Sequence, residues 1–377
     1  KEKGGHKIMI LKCSREKLSE ACSVVQRAVP SKSTIPALEG ILLSAKEDML
    51  TLSGYDMQMG IKTSINADIK KEGAVIINAK LLTDITRRMP GEEVSLECDD
   101  KYTVLIKSGE AEYSVMGFAD EEYPDMPVVD NGKNAEISGD MLKSMIQQTI
   151  FAVSQNDSKP VHTGILFEVD DGHIRLVAVD GYRLAIRTEN VSGMENASFV
   201  VPGKTLNEIS KLIGTDEEKI NIKLGGRHII FDTGDYSIIS RLLEGEFLDY
   251  KSAIPASAAT TVTVKTRELI DCIERISLMI TEQDKSPVRC IFDDNLIKAS
   301  CVTARGRGVD SVPADIKGDR IELGVNNRFL LDALRAASEC DEIRIELSGP
   351  VSPIKILPKE GEEFIFLVLP VRLKGNM

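Results

Sequence analysis

The sequence predicts an α+β fold in which one domain plan occurs three times, each copy placing two helices on antiparallel sheets. Strands begin at near-constant spacing, at Gly40, Gly164 and Cys290. Second helices begin in step with them, at Leu81, Leu206 and Leu330. The period of about 125 residues is far longer than the roughly 20–50 residues of a solenoid unit. Each copy is therefore long enough to form its own core.

Every copy follows the same order of predicted elements. A strand leads into a first helix, predicted over Arg15–Val29, Asp140–Val153 and Thr266–Ile280. Two strands follow, joined by tight turns at Glu47-Asp48, Asp171-Gly172 and Asp294-Asn295. A second helix then begins at a polar start, at Asn78, Pro202-Gly203 and Asn326-Asn327, and alternating strands close the copy. The predicted domains are residues 7–130, 131–256 and 257–377.

Composition indicates a globular protein of the cytoplasm. Hydrophobic residues make up 42% of the chain, and no apolar run approaches the ~18 residues of a membrane helix. The seven cysteines are scattered without a Cys-x-x-Cys pair, which favours reduced thiols over a disulfide framework or a zinc site. Residues 1–6 contain neither an apolar stretch nor a Met, and we expect them to be a remnant of expression cloning.

Charge is distributed unevenly along the chain. The formal net charge is −12, but the six predicted helices contain more basic than acidic residues. If the exposed helix faces share one side, that side is basic and can attract a polyanion. Basic residues are also good helix formers, so simple solvated helix faces are the alternative interpretation.

Motifs for catalysis are absent from the sequence. The histidines His6, His162, His173 and His228 lack metal-ligand spacing. Phosphate-binding glycine loops and the Gly-x-Ser-x-Gly elbow do not occur. Asp180 and Arg183 are expected to form an ion pair that fixes a turn. We therefore expect no enzymatic activity, no metal and no cofactor.

Four segments within the repeat carry a family resemblance, namely Ser33–Leu38, Val179–Ala185, Gly245–Tyr250 and Leu369–Leu373. In this order and spacing, the chain resembles the bacterial DNA polymerase III beta subunit, the replicative sliding clamp, from Lys7 to Leu373. The resemblance implies a head-to-tail homodimer, a six-domain ring that encircles duplex DNA, tethers the replicative polymerase and is opened by a clamp-loader ATPase. With about twelve helices spaced ~10 Å apart, the ring would leave a hole about 28 Å wide.

The resemblance also assigns site residues. DNA contacts are expected from a loop and helix of the first copy and a loop of the second, at Lys32, Lys80, Arg87, Asn156, Lys159 and Val161. Helices that cross the DNA backbone contact phosphates without reading bases, so binding would be independent of sequence. The dimer interface is expected at Tyr113, Val115, Leu278 and Met279.

A pocket for the short clamp-binding motif of partner proteins is the second implied site. The matching positions are Val179, Gly181, Tyr182, Arg183, Leu184, Leu248, Ala253, Val351, Leu369, Pro370, Val371, Arg372 and Leu373. Where the family commonly has a proline and a basic residue, this chain has Leu248 and Ser252. An edge strand ended by Pro370 is the simpler interpretation of Leu369–Leu373. A three-domain cytosolic peptide-binding scaffold that does not encircle DNA is the alternative function.

Overall fold

The computed structural model describes residues 7–130, 132–156, 158–214, 219–281 and 286–373. The expected cloning remnant, with His6, lies outside the described residues. Two compact units are present, one formed by residues up to 139 together with 211–242, the other by residues 140–210 together with those from 243 onward. The three-domain division of the sequence stays a prediction.

The first repeat contains eight strands and two helices. They are β1 (Lys7–Ser14), α1 (Arg15–Val25), β2 (Gly40–Lys46), β3 (Met49–Tyr55), β4 (Met59–Lys71), β5 (Gly73–Asn78), α2 (Ala79–Arg88), β6 (Glu93–Asp99), β7 (Thr103–Ser108) and β8 (Ala111–Met116). The second repeat has the same order: β9 (Lys133–Ser138), α3 (Gly139–Thr149), β10 (Gly164–Asp170), β11 (His173–Val179), β12 (Arg183–Asn190), β13 (Ala197–Pro202), α4 (Gly203–Leu212), β14 (Lys219–Leu224), β15 (His228–Asp232) and β16 (Tyr236–Arg241).

The third repeat keeps this order and adds one short strand. Its elements are β17 (Thr260–Lys265), α5 (Thr266–Ser277), β18 (Val288–Asp293), β19 (Leu296–Thr303), β20 (Gly306–Pro313), β21 (Asp315–Gly318), β22 (Ile321–Val325), α6 (Asn327–Ala336), β23 (Glu342–Leu347), β24 (Ile354–Pro358) and β25 (Phe364–Val368). The predicted α+β repeat is therefore confirmed.

The first helix of each repeat is shorter than predicted. In α1 the regular helix stops at Val25, and a single 3₁₀ turn follows, closed by the N–H of Val29 donating to Gln26 O at 3.0 Å. The second repeat repeats this ending, with Val153 donating to Ile150 O at 3.2 Å. The tighter turn redirects the chain toward the next loop, which apolar periodicity alone does not reveal.

The three predicted hairpin turns are confirmed as two-residue connections. Glu47, Asp171 and Asp294 each have φ between 47° and 57°, in the left-handed region. The flanking residues are paired across the turn, for example Asp170 with His173. This backbone matches the right-handed twist of the strands it joins.

Strand pairs are antiparallel throughout the described residues, and two of them join successive repeats. In the first unit, β4 pairs with β16 inside a twelve-stranded sheet that ends at β8. In the second unit, β12 pairs with β25 inside a nine-stranded sheet, and β20 ends a separate four-stranded sheet. Each junction thus joins a strand of one repeat to the last strand of the next.

Helices pack in pairs against these sheets. In the first unit α1 contacts α2, β3 and β4, and in the second unit α5 contacts α6, β19 and β20. The buried face of α2 carries Leu82 and Ile85, while Lys80 and Arg87 are exposed. Asn78 caps α2 by accepting from the N–H of Leu81 at 3.0 Å, as its predicted polar start implies.

Candidate functional site

The last described residues, Leu369–Leu373, form what we call the tail segment. The N–H of Leu369 donates to Tyr182 O at 2.9 Å, and the N–H of Val371 donates to Gly324 O at 2.8 Å. The tail segment is therefore held at its first residue and at its middle by backbone hydrogen bonds. Gly324 permits the close approach, because a Cβ there would lie 2.5 Å from Val371 O.

A groove of about 670 Å³ runs along the tail segment, and we call it the tail groove. Five predicted pocket residues line it: Val351, Pro370, Val371, Arg372 and Leu373. Four further lining residues were not predicted: Glu322, Leu323, Gly324 and Pro350. Val351 is 81% exposed and Val371 42% exposed. Apolar side chains this exposed on a concave surface are typical of a binding site.

Beside the groove, the turn before β12 presents Tyr182 to solvent. Gly181 adopts φ +89°, which favours glycine, and Asp180 Oδ1 accepts from the N–H groups of Tyr182 and Arg183 at 2.9 and 3.1 Å. The Tyr182 ring is stacked on Phe329 with centroids 5.8 Å apart. The side chain is thus exposed but well supported.

Arg183 supports the turn from beneath and is itself buried. Its guanidinium pairs with Asp180 at 2.9 Å and with Asp332 at 2.5 Å, and lies 4.6 Å from the Phe329 ring centroid. The predicted Asp180–Arg183 ion pair is confirmed. Since two carboxylates already engage Arg183, it positions the turn and is not a free handle for a ligand.

The remaining predicted pocket residues surround an apolar cluster under the loop 247–253. Val179 and Leu184 are buried in this cluster, whereas Leu248 and Ala253 are exposed above it. Other members were not predicted as pocket residues: Val161, Leu166, Val177, Ile186, Val200, Tyr250 and Leu367. The alternation of apolar residues along a strand does not distinguish the residues beneath a binding pocket from those of an ordinary core.

Tyr250 anchors that loop. Its hydroxyl donates to Glu168 Oε2, and Arg175 pairs with the same carboxylate at 3.3 Å. Burial raises the pKa of Tyr250, and the Glu168 carboxylate adds to the rise, so the phenol stays protonated and remains a donor. Ser252 Oγ donates to Asp249 O at 2.8 Å and holds the turn beside it.

We expect Tyr250→Phe to lower affinity at the pocket indirectly, by loosening the loop that carries Leu248. Losing a hydrogen bond to a carboxylate costs about 1.5–3 kcal/mol, and Glu168, partly exposed, recovers some of it from water. Peptide affinity should fall several-fold, with a lower thermal unfolding midpoint. Tyr102→Phe is the matched control, since it removes a phenol hydroxyl between β6 and β7 of the first unit, outside the predicted pocket; an equal loss in both variants would contradict the anchoring role.

All but one of the residues predicted to contact DNA are exposed. Lys80 and Arg87 are on the exposed face of α2, and Lys32 lies in the loop after α1. Lys159 is exposed in a loop of the second unit, where Asn156 Oδ1 accepts from Ser158 N at 2.9 Å. No ion pair engages Lys32, Lys80, Arg87 or Lys159 within the described residues. These cations therefore remain available to phosphates.

Three basic side chains of α5 and α6, in contrast, form ion pairs. Arg267 pairs with Asp271 at 3.0 Å, Arg275 with Asp310 at 2.6 Å, and Arg335 with Glu274 at 2.8 Å. Their charge is largely compensated locally. The basic side chains of α5 and α6 named here are therefore less available to phosphates than those of α2.

Val161 does not share the exposure of its neighbours. It is only 6% exposed and belongs to the apolar cluster under the loop 247–253. Next to it, the His162 ring packs edge-on to Phe247 at 5.3 Å, and burial together with Lys159 lowers the pKa of His162. Val161 thus offers DNA no side-chain surface here.

The predicted interface residues lie on two sheet edges. β8 ends its sheet with Tyr113 exposed, whereas Val115 is 8% exposed and faces the core, so that only its backbone is available at the edge. β20 ends the four-stranded sheet. Nearby, Leu278 is 79% exposed, and Met279 lies against β20, 3.1 Å from where a Gly308 Cβ would sit.

Within the described residues, no group of three or more His, Cys, Asp or Glu side chains is arranged to hold a metal ion. Nor does any described helix combine the length and apolar character needed to cross a membrane.

Comparison with known proteins gives consistent matches along the whole chain. Family models of the DNA polymerase III beta subunit match in three parts: the N-terminal domain at residues 9–127, the central domain at 136–249 and the C-terminal domain at 251–372. The curated beta sliding clamp of Bacillus subtilis is 30% identical over 371 residues, covering 95% of this chain and 98% of its own.

Solved structures agree. A DNA polymerase sliding clamp from Bacillus subtilis is 30% identical, with a TM-score of 0.94 over 97% of this chain and 100% of its own. A putative DNA polymerase III beta subunit from Eubacterium rectale is 33% identical, with a TM-score of 0.92 over 96% of this chain and 99% of its own.

Proposed function

The chain belongs to the DNA polymerase III beta subunit family, and on that premise we propose that it is a sliding clamp that encircles duplex DNA. It is a non-catalytic processivity factor: it tethers the replicative polymerase and other DNA-processing proteins, and a clamp-loader ATPase opens it. We further infer that it works in the cytoplasm, where scattered reduced cysteines are typical. We keep the division into clamp domains at 7–130, 131–256 and 257–377.

The proposal of a ring rests on one observation. Two strand pairs of the same kind join successive repeats within the chain, and the two strands that could form a third such pair lie at sheet edges. β4 pairs with β16, and β12 pairs with β25. By position in the repeat, β20 corresponds to β4 and β12, and β8 corresponds to β16 and β25. We propose that β20 pairs with β8 of a second copy, and β8 with β20 of that copy. Two such joints close a head-to-tail dimer and cover both edges.

DNA contact in the ring is electrostatic. Lys32, Lys80, Arg87 and Lys159 are exposed without ion pairs among the described residues. Such cations bind phosphates irrespective of sequence, and the binding weakens steeply with salt. The overall charge of −12 opposes binding elsewhere on the surface. A ring of this kind is retained by topology and can slide.

Retention on DNA tests the function. The protein is loaded onto nicked circular plasmid with clamp loader and ATP, separated by gel filtration in high salt, and the plasmid is then linearised. We expect protein to stay with the circle and to be lost from the linear form. Equal retention on both forms would contradict encirclement and favour the alternative, a peptide-binding scaffold; no observation in the structure specifically favours that alternative.

Reversing charge on α2 should weaken the electrostatic contact. We expect the Lys80→Glu/Arg87→Glu double variant to bind duplex DNA about tenfold or more weakly at low salt, with a smaller dependence of log affinity on log salt. Fluorescence anisotropy with labelled duplexes at several salt concentrations measures both. Lys46→Glu/Lys70→Glu makes the same change in charge on β2 and β4. If that control lost as much affinity, α2 would have no special role.

A further inference from the structure

The first unit contains a counterpart of the site beside β12, built by the same backbone rules. Asp56 Oδ1 accepts from the N–H groups of Gln58 and Met59 at 2.9 and 2.7 Å, as Asp180 does for Tyr182 and Arg183. The N–H of Arg241 donates to Gln58 O at 2.8 Å, as that of Leu369 does to Tyr182 O.

Strand register extends the correspondence to individual side chains. Lys62 lies opposite Ser237 in the β4–β16 pair, as Ile186 lies opposite Ile365 in the β12–β25 pair. Ser53 on β3 takes the place of Val177 on β11. At these three positions the apolar residues Val177, Ile186 and Ile365 of the second unit are thus replaced in the first unit by the polar residues Ser53, Lys62 and Ser237.

The consequence is an open cavity of about 400 Å³, which we call the linker groove. Its floor includes Ser53, Lys62 and Ser237, and its walls include Tyr123, Met126 and Val128. Val128 is 76% exposed. The second unit fills the corresponding position with its own buried side chains. The first unit leaves space there for a side chain of another molecule.

The wall of the linker groove includes a segment outside the helices and strands, which offers its carbonyl groups and the N–H groups of its non-proline residues. Within the described residues, Pro124–Val129 makes no backbone–backbone hydrogen bond. Such a segment can pair with an extended chain, whose side chains alternate into and away from the groove.

Charge at the groove is predominantly acidic. Asp120 and Asp125 line it, with Glu121 and Glu122 exposed alongside, against the single cation Lys62. Asp120, Asp125 and Lys62 form no ion pair with any described residue. A basic ligand complements this rim, and Lys or Arg would pair with its carboxylates.

We propose that the linker groove is a second docking site, which takes an extended peptide segment of a partner protein with one bulky apolar side chain flanked by Lys or Arg. The apolar side chain enters the cavity over Ser53 and Ser237, and the flanking cations meet Asp120 and Asp125. This site is separate from the tail groove and would let one subunit hold two segments.

Two labelled pentapeptides test the proposal on the full-length protein: Gly-Lys-Phe-Lys-Gly and its charge-reversed form Gly-Glu-Phe-Glu-Gly. The measurements use the Val351→Asp variant, in which the tail groove is disabled, with the unaltered protein in parallel. We expect saturable anisotropy for the basic peptide, with a Kd below about 1 mM, and binding at least about tenfold weaker for the acidic peptide.

Two double variants test whether the basic peptide binds in the linker groove. Asp120→Asn/Asp125→Asn should weaken the basic peptide at least about tenfold, whereas the control Asp170→Asn/Asp171→Asn, which removes two exposed charges elsewhere, should not. Ser53→Val/Ser237→Ile fills the cavity with the residues that the second unit has at those positions and should have the same effect. Thermal unfolding checks that this variant folds; if it does not, the surface variant decides alone.

The proposal is overturned if the basic peptide shows no saturation, if both Asp-to-Asn variants weaken it equally, or if Val351→Asp abolishes its binding. The assay involves neither DNA nor loader, so its outcome is independent of whether the protein encircles DNA.

Discussion

Leu278→Asp is expected to convert the dimer to monomers and to abolish retention on circular DNA. Leu278 is 79% exposed in the single chain and lies next to Met279, which contacts the edge strand β20. A carboxylate buried at that joint would cost about 3 kcal/mol or more, which weakens dimerisation about 100-fold or more. Sedimentation velocity measures the assembly, and the circular-plasmid assay measures retention.

Met57→Asp is the matched control for this change. Met57 is 46% exposed, in the first unit, and is not part of either proposed joint strand. This variant should remain a dimer and remain on circular DNA. A dimer that persists in Leu278→Asp at micromolar concentration would contradict the interface assigned to this residue, whatever the DNA assay shows.

Loss of the tail segment is expected to abolish binding of partner peptides while leaving the dimer intact. Truncation after Val368 removes one wall of the tail groove, including the exposed side chain of Val371, together with the exposed side chain of Leu369. Central apolar contacts each contribute about 2 kcal/mol or more when truncated, so affinity for a peptide with the polymerase's clamp-binding motif should fall at least about 100-fold.

A point variant separates this effect from a general loss of structure. Val351 lines the same groove, is 81% exposed, and replacing it with Asp alters no backbone hydrogen bond described for the tail. Val351→Asp should weaken the peptide about tenfold or more without moving the thermal unfolding midpoint. Normal peptide binding by either variant would refute the assignment of the tail groove.

The repeat was predictable because it rests on local signals. Asp171-Gly172 and its two counterparts form the predicted hairpin turns, and Asn78 caps α2 where a polar start was expected. These features depend on residues a few positions apart. Helix ends were less predictable, because the 3₁₀ turns after Val25 and Thr149 depend on the path of the loop that follows each helix.

Side-chain placement within the site was only partly predictable. Val351, Tyr182 and Val371 are exposed, as a binding surface requires, whereas Arg183 is buried between Asp180 and Asp332. Asp332 is 149 positions away from Arg183 in the sequence. No local sequence pattern predicts such a contact, because it depends on how β12 and α6 are placed in the fold.

By itself, the sequence determined the order of elements, their turns and caps, and the threefold plan, because each depends on backbone preferences and apolar periods within a short window. Only the tertiary structure decided which edges lack a partner, which cations are compensated by carboxylates, and that the position filled by apolar side chains in the second unit is an open groove in the first. Those properties arise from strand register between distant segments. Ser53 in the first unit takes the place that Val177 has in the second unit, and this single difference changes the space that remains.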